Sequence, residues 1–365
     1  MGSEQSSGSD SRRQRWALPT SPRPIAIIGA GGIVVNAHLP AYAACGFRVV
    51  RIFDIDRTRA EAAARQFGVE QVAGTLNETT ALGTDVVYDL AVPAGAVIGT
   101  LEALPVGATA LIQKPMGLDL DQASAIVQAC RSRNLTAAVN FQLRFAPAVM
   151  ELSSLVGQGV LGDLTDVEMR VNTFMPWEQW EFLRHIPRME ILYHSIHYVD
   201  LMRHLLGRAH GEPSRVMART TSDPRYPQLA SVASTIVLDF GPSVRCTIST
   251  NHQHDFGPQH QASHLRVEGT SGAAVARLGV NLNYPRGLPD TLSVHIGREE
   301  WRPIELAGNW FPDAFRGPMC NLQRFVAGED DVLVTRIDDA WKTMAVVEAC
   351  YECDRSGGVT PRSQP

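Results

Sequence analysis

Residues Ile25-Ala26-Ile27-Ile28-Gly29-Ala30-Gly31-Gly32 decide how the rest of the chain is read: four apolar residues run straight into a glycine-rich turn, and a helical segment follows. In this setting a glycine fingerprint has physical content. Glycines allow a tight turn and let backbone amides approach a pyrophosphate, whose charge is met by free N–H groups at the helix start. The full G-x-G-x-x-G spacing would put a third glycine at position 34, where Val34 stands, so close packing of helix on strand must be solved another way. Taken alone, the stretch reads equally as a plain strand-to-helix loop.

The next apolar run shifts the balance. Val49-Val50-Arg51-Ile52-Phe53-Asp54 ends in an acid about where a doubly wound nucleotide fold places its ribose-binding carboxylate. Asp54 would accept from a ribose 2'-hydroxyl and repel a 2'-phosphate, which favours NAD over NADP, although Arg57 and Arg59 stand close enough to keep NADP open. Asp56 is also placed to cap the helix that starts at Arg57.

Working outward, residues 25–140 alternate short apolar runs with helical patterns, the signature of strand-helix-strand units over a parallel sheet. Strands are expected at 25–28, 49–54, 85–90, 108–112 and 136–140, with helices at 57–67, 94–104 and 120–133. After Asn140 the pattern changes to a helix at 147–155, a strand at 164–172 and a helix at 189–206. Six strands then follow between 215 and 296, which read as one largely antiparallel sheet. Closing helices at 311–326 and 336–355 are expected to pack back across that sheet. The fold class is therefore α/β, with a Rossmann-type domain over 24–142 and an α+β domain over 143–358. Tails of 1–23 and 359–365 flank them, the first so poor in large apolar side chains that it is expected to be disordered.

Bulk properties agree. The chain has 365 residues, 44% of them hydrophobic and 19% charged, and no apolar run approaches bilayer-spanning length. A net charge of -5 lacks the clustered basic excess of a nucleic-acid surface, so the expected partner is a small molecule. Six scattered cysteines suit reduced thiols in a cytoplasm rather than a disulfide framework, and Cys350 and Cys353 fall within a helical stretch with no zinc-spaced partner. Ser11-Arg12-Arg13 is not followed by the apolar segment that an export signal needs.

Gln113-Lys114-Pro115, at the end of the 108–112 strand, resembles the Gfo/Idh/MocA family of sugar and inositol oxidoreductases. The resemblance extends to the 29–32 turn with His38 and Pro40, to Asn140-x-x-x-Arg144-Phe145-x-Pro147, to His197-x-x-Asp200 and to Ala349-Cys350-Tyr351, nearly the whole chain from Pro24 to Gly358. It implies a Rossmann domain and an α+β domain whose open sheet forms a homodimer or homotetramer. NAD would lie along Gly29, Ala30, Gly31, Gly32, Ile33, Asp54, Pro93, Gln113 and Lys114. It also implies a catalytic lysine at Lys114, and the residues agree. A residue before proline is biased to an extended conformation, and the carboxyl end of a central strand faces the ligand crevice. An ammonium there can hydrogen-bond the reacting hydroxyl and stabilise alkoxide charge.

By the same resemblance His197 is the base that takes the hydroxyl proton, and imidazole titrates in the useful range. His194, His197, Asp200 and His204 are spaced to share one side of a helix, with Asp200 one turn on from His197, placed to orient it or to pair with Arg203. Two positions depart from the family pattern. Gln113 replaces its usual glutamate, which removes an anion beside Lys114 and should lower the lysine pKa. Tyr193 stands where an aspartate is common, as a proton relay or a surface for substrate. Arg144 would bind substrate or cofactor, or clamp the domain junction. Trp177, Trp180 and Phe182, among Glu178, Glu181 and Arg184, offer aromatic faces to a sugar ring, or a packed loop. His252, His254, His260 and His264 lack metal-ligand spacing, and no metal is expected.

The function expected is reversible hydride transfer between NAD and a secondary hydroxyl of a sugar, cyclitol or glycoside. A glycosidase of the same fold with no net redox, and a non-catalytic NAD-binding regulator, are the alternatives.

Overall fold

The computed structural model describes residues 11–177, 181–284 and 286–358. The first domain runs β1 (Ile25–Ile28), α1 (Leu39–Ala44), β2 (Val49–Phe53), α2 (Arg57–Phe67), β3 (Gln71–Val72), α3 (Leu76–Thr80), β4 (Val87–Leu90), α4 (Val97–Ala103), β5 (Thr109–Ile112), α5 (Leu120–Ser132) and β6 (Thr136–Val139). Its strands form one six-stranded sheet in the order β3-β2-β1-β4-β5-β6, parallel throughout. This is the doubly wound order whose crevice opens at the carboxyl ends of β1 and β4, where the connection reverses direction. β1, β4 and β5 are buried on both faces, which is why they read as continuous apolar runs. Asp56 caps α2 by accepting from the Thr58 N–H, and Gly68 ends the helix in the left-handed region at φ 70°.

The second domain contains α6 (Pro147–Gly157), β7 (Leu164–Asn172), α7 (Ile196–His210), β8 (Arg215–Thr221), β9 (Ala233–Asp239), β10 (Arg245–Asn251), β11 (Ala262–Gly269), β12 (Gly272–Arg277), β13 (Thr291–Ile296) and β14 (Arg302–Ile304), followed by α8 (Arg316–Val326) and α9 (Ile337–Ser356). Eight strands lie in the order β14-β13-β12-β11-β7-β10-β9-β8, antiparallel except for the central β7–β10 pair. One face carries Val167, Met169, Cys246, Ile248, Leu265 and Val267 into the core. The other carries Asp166, Glu168, Arg170, Arg245, Thr247, His264 and Arg266, the alternation of a sheet covered on one side.

Three features differ from the sequence reading. Of the two closing helices, α8 does not cross the second sheet. Phe315, Met319, Cys320 and Leu322 join Ile25, Ile27, Val87, Leu111 and Ala138 in a core on one face of the first sheet. Residues 11–23, expected as a disordered tail, form a bound arm. A 3-10 turn at Ser11–Gln14 buries Gln14, whose side-chain amide donates to Glu305 O at 3.0 Å and accepts from the Ala307 N–H at 2.8 Å. Trp16 packs on the core beside α8, and the Arg23 N–H donates to Gln323 Oε1 at 2.7 Å. Polar side chains that satisfy backbone groups hold this arm, so hydrophobicity did not reveal it. Residues 1–10 and 359–365 lie outside the described residues. Finally, the helix expected over 189–206 opens with a π-helical turn at Ile191–Ser195 before α7.

Candidate active site

The glycine turn leaves β1 at Gly29, whose φ is +106° and where a Cβ would lie 2.3 Å from Ala91 O, so no side chain fits. At Gly31 an added Cβ would meet nothing within 4 Å, which leaves its backbone open to a ligand. Asp54, just past β2, reaches back to this turn: Oδ2 accepts from the Ala30 N–H at 2.6 Å and Oδ1 from the Asp56 N–H at 2.8 Å. Arg57 and Arg59 pair with Glu61 and Asp56. Ile33 opens the helical segment, whose Val34–His38 portion is a π turn closed by the Leu39 N–H on Val34 O. Pro40 follows; it has no N–H and would crowd the carbonyl four residues back, and the wider turn relieves both problems. Val34, in place of the third glycine, is wholly buried there. Pro93 lies past β4, and Gln113 and Lys114 lie past β5, along the same crevice edge.

Lys114 precedes a cis proline, and its Nζ donates to Tyr193 O at 2.8 Å, bringing the crevice against the π turn of the second domain. Burial lowers the Lys114 amine to about 8. Tyr193 thus contributes its backbone carbonyl to the lysine, while burial raises its phenol. His197 and His194 are both held well below the ordinary histidine range, first by burial and then by neighbours that include Lys114. Both imidazoles feel Lys114, and His197 also lowers His194, but their ring contacts differ. His194 lies against His252 (ring centroids 4.9 Å apart) and Trp177 (5.7 Å), whereas His197 meets the edge of Trp310 at 5.6 Å. The π turn places one extra residue in that stretch and rotates His194 away from the helical register. Nδ1 of both imidazoles is buried without a hydrogen-bond partner, as is Nε1 of Trp177. Such orphaned groups fit a polar ligand entering between the domains.

Arg144 takes the clamping role of the two open to it, and Asp200 neither orients His197 nor pairs with Arg203. Arg144 is 6% exposed, and its guanidinium donates to Asp200 Oδ2 (2.7 Å) and Oδ1 (2.6 Å), to Asp339 Oδ2 (2.7 Å) and to Val334 O (3.0 Å). These bonds take four of its five N–H groups, and the residue ties the segment after β6 to α7 and α9. Asp200 is taken up by Arg144 and by Thr343 Oγ1 at 2.8 Å, so it does not orient His197. Arg203 turns instead to Glu212 and Asp339.

Glu190 and Trp310 lie near the site without having been singled out in the sequence, and His252 belongs to a group of histidines of which some were expected near substrate or a neighbouring subunit. His252, just past β10, is buried and 3.5 Å from Glu190 Oε1. Burial would raise the Glu190 carboxyl, but His252, Ser234 and Thr250 outweigh it and hold the group below the ordinary carboxylate range. Trp310 is fixed through its backbone N–H, which donates to Asp290 Oδ2 at 2.5 Å. The position of His252 at a strand's carboxyl end was a usable signal; Glu190 and Trp310 offered none. Of the other histidines, His254 bonds Asn172 and Gln259 O, and His264 lies on the outer sheet face. Among the described residues no three His, Cys, Asp or Glu side chains gather as a metal site. Glu178 and Trp180 lie outside the described residues, as do the side chains of Glu181 and Phe182.

A parallel sheet with a glycine turn, a carboxylate at the second strand end and a buried lysine facing imidazoles from a second domain defines a nicotinamide-dinucleotide oxidoreductase. Residues 23–141 match the oxidoreductase family model with an NAD-binding Rossmann fold, and residues 149–275 match the GFO/IDH/MocA C-terminal domain. The chain belongs to the Gfo/Idh/MocA family of oxidoreductases, with the family's NAD-binding Rossmann domain. A D-apiose dehydrogenase of Paraburkholderia graminis is 27% identical over 347 residues, covering 91% of this chain and 88% of that protein. A D-glucoside 3-dehydrogenase of Escherichia coli is 29% identical over 150 residues, 40% of this chain and 43% of that one. The fold is shared with an Agrobacterium radiobacter oxidoreductase solved with NAD+, L-tartaric acid and magnesium: TM-score 0.77, 22% identity, coverage 93% of this chain and 98% of that one.

Proposed function

We propose that the protein is an NAD-dependent dehydrogenase that oxidises a secondary hydroxyl of a sugar, cyclitol or glycoside. The observation that carries this reading is Lys114, a buried amine at the carboxyl end of β5, sharing its surroundings with imidazoles held neutral at pH 7. NAD, when bound, supplies the hydride acceptor. Gly29 to Ile33 and Asp54 would hold the pyrophosphate and ribose, and Pro93, Gln113 and Lys114 would line the way to the nicotinamide. The Lys114 ammonium donates to the hydroxyl oxygen and stabilises negative charge as the C–H bond breaks. His197, neutral because it is buried beside a cation, accepts the hydroxyl proton. Trp177, His194 and His252 present an apolar face and ring nitrogens to the rest of the substrate. The resemblance to sugar dehydrogenases supports the substrate class.

The test is incubation of the purified protein with NAD and a panel of sugars, inositols and glycosides, following NADH absorbance and products together. NADH formation is expected. Bond cleavage without NADH would replace the reading with a glycosidase, and NAD binding without either would make the protein a regulator. The same reading makes the molecule a cytoplasmic homodimer or homotetramer through the outer face of the eight-stranded sheet. Sedimentation velocity is expected to show the dimer or tetramer at micromolar concentration, and a monomer would remove that part.

A further inference from the structure

Gln113 Oε1 accepts from the Lys114 N–H at 2.8 Å, so its Nε2 is the end turned to His38, 3.4 Å from the ring Nε2. Asn140 aims Nδ2 at the same ring nitrogen from 3.2 Å. A nitrogen met by two amide donors is an acceptor. The His38 proton therefore sits on Nδ1 and is donated to Asp89 Oδ2 at 2.6 Å, and Tyr42 donates its hydroxyl to the same oxygen at 2.8 Å. His38 and Asp89 are 0% exposed, Asn140 1% and Gln113 9%. Among the described residues no Lys or Arg pairs with Asp89; the titratable groups around it are His38, Tyr42, and Cys45 and Cys320 beside Tyr42, with Lys114 beyond Gln113. Every donor in this chain of bonds points inward, from the Lys114 peptide through Gln113 and His38 to one buried carboxylate, and the charge at its end polarises each bond before it.

We propose that Asp89 and His38 are positioning residues for Lys114: they lock Gln113 in the amide orientation that takes the Lys114 N–H, and they keep the negative charge on the far side of His38 from the Lys114 amine. A glutamate at 113 would present acceptors on both sides, and His38 Nε2 would then have to carry a proton. The arrangement explains how a family position usually held by an acid is filled by an amide without loss of order.

The inference rests on the dehydrogenase reading only in its kinetic arm. Lys114 and Lys342 are the only lysines in the chain, so lysine-selective labelling gives two NMR signals, and histidine-ring 15N spectra read the tautomer. The wild type is expected to show His38 neutral with its proton on Nδ1. Gln113→Glu is expected to add a second proton to His38 and to raise the Lys114 titration midpoint, and with it the alkaline limb of kcat/KM, by about one pH unit. In Asp89→Asn with Gln113→Glu, the amide nitrogen at the position of the shared oxygen can donate one N–H to Nδ1 and the other to the Tyr42 hydroxyl. His38 is then expected neutral with its proton on Nε2, Lys114 stays raised, and thermal unfolding recovers toward the wild type. A wild-type His38 protonated on Nε2, or a Lys114 midpoint unmoved in both variants, overturns the proposal. Because both NMR readouts are independent of turnover, a protein that oxidises no sugar would defeat the proposed function without deciding this one.

Discussion

In the proposed reaction Lys114 and His197 divide the proton chemistry, because burial acts on them in one direction while their ordinary values differ. Lys114 is brought down to about 8 and remains mostly an ammonium at pH 7; His197 is pushed well below its usual value and remains neutral. Raising the pH through about 8 removes the donor to the substrate oxygen, so kcat/KM should fall above that point, and it should fall in acid only below the ordinary histidine range. A pH–rate profile flat through pH 8 to 10 would show that Lys114 is not the required acid. Lys114→Ala and His197→Ala should each lower kcat by about 10²- to 10⁴-fold, with NAD affinity by calorimetry nearly unchanged; near-normal turnover in either would end its assigned role. The position of Lys114 at the crevice was legible from local geometry, a strand end before proline, whereas a helical histidine carries no such signal and His197 was singled out through the family resemblance. Arg144 and Asp200 were legible only as polar residues in the same segments. Which partner they take depends on Asp339 and Thr343, distant in the chain, and no spacing rule reaches that far.

At the scale of elements, strands and helices followed their periodicities closely because most are longer than four residues and apolar on at least one face. β3 and β14, of two and three residues, carry too little pattern to be read. The π turns were hidden for a different reason. Periodicity assumes constant rise and rotation, and an inserted residue breaks the register without changing composition. The junction at Arg144 belongs to this scale, since it ties the 3-10 turn at Gln142–Phe145 to α7 and α9. Arg144→Met should cost about 3–5 kcal/mol in urea unfolding, because Asp200 would keep its charge without its main partner. A loss under about 1 kcal/mol accompanied by a large rise in substrate KM would return Arg144 to the substrate.

Over the whole molecule, the N-terminal arm touches both domains: Gln14 meets Glu305 and Ala307 beyond β14, Trp16 packs beside α8, and Arg23 reaches Gln323. Gln14→Ala would leave the Ala307 N–H and the Glu305 carbonyl short of a buried partner, and should lower stability by about 1–3 kcal/mol in thermal or urea unfolding. An unchanged midpoint would mean the arm is merely laid on the surface.

The placement of α8 bears on the order in which the chain is made. The face of the first sheet formed by Ile25, Ile27, Val87, Leu111 and Ala138 receives part of its cover from residues 315–322. During synthesis from the amino terminus, the dinucleotide domain therefore emerges early with that apolar face only partly covered, by α1 and α2, and waits for nearly 180 further residues, on the order of ten to forty seconds at ordinary elongation rates. Nascent chains stopped after residue 142 should remain open to protease and bound by holding chaperones, and those stopped well past residue 326 should not.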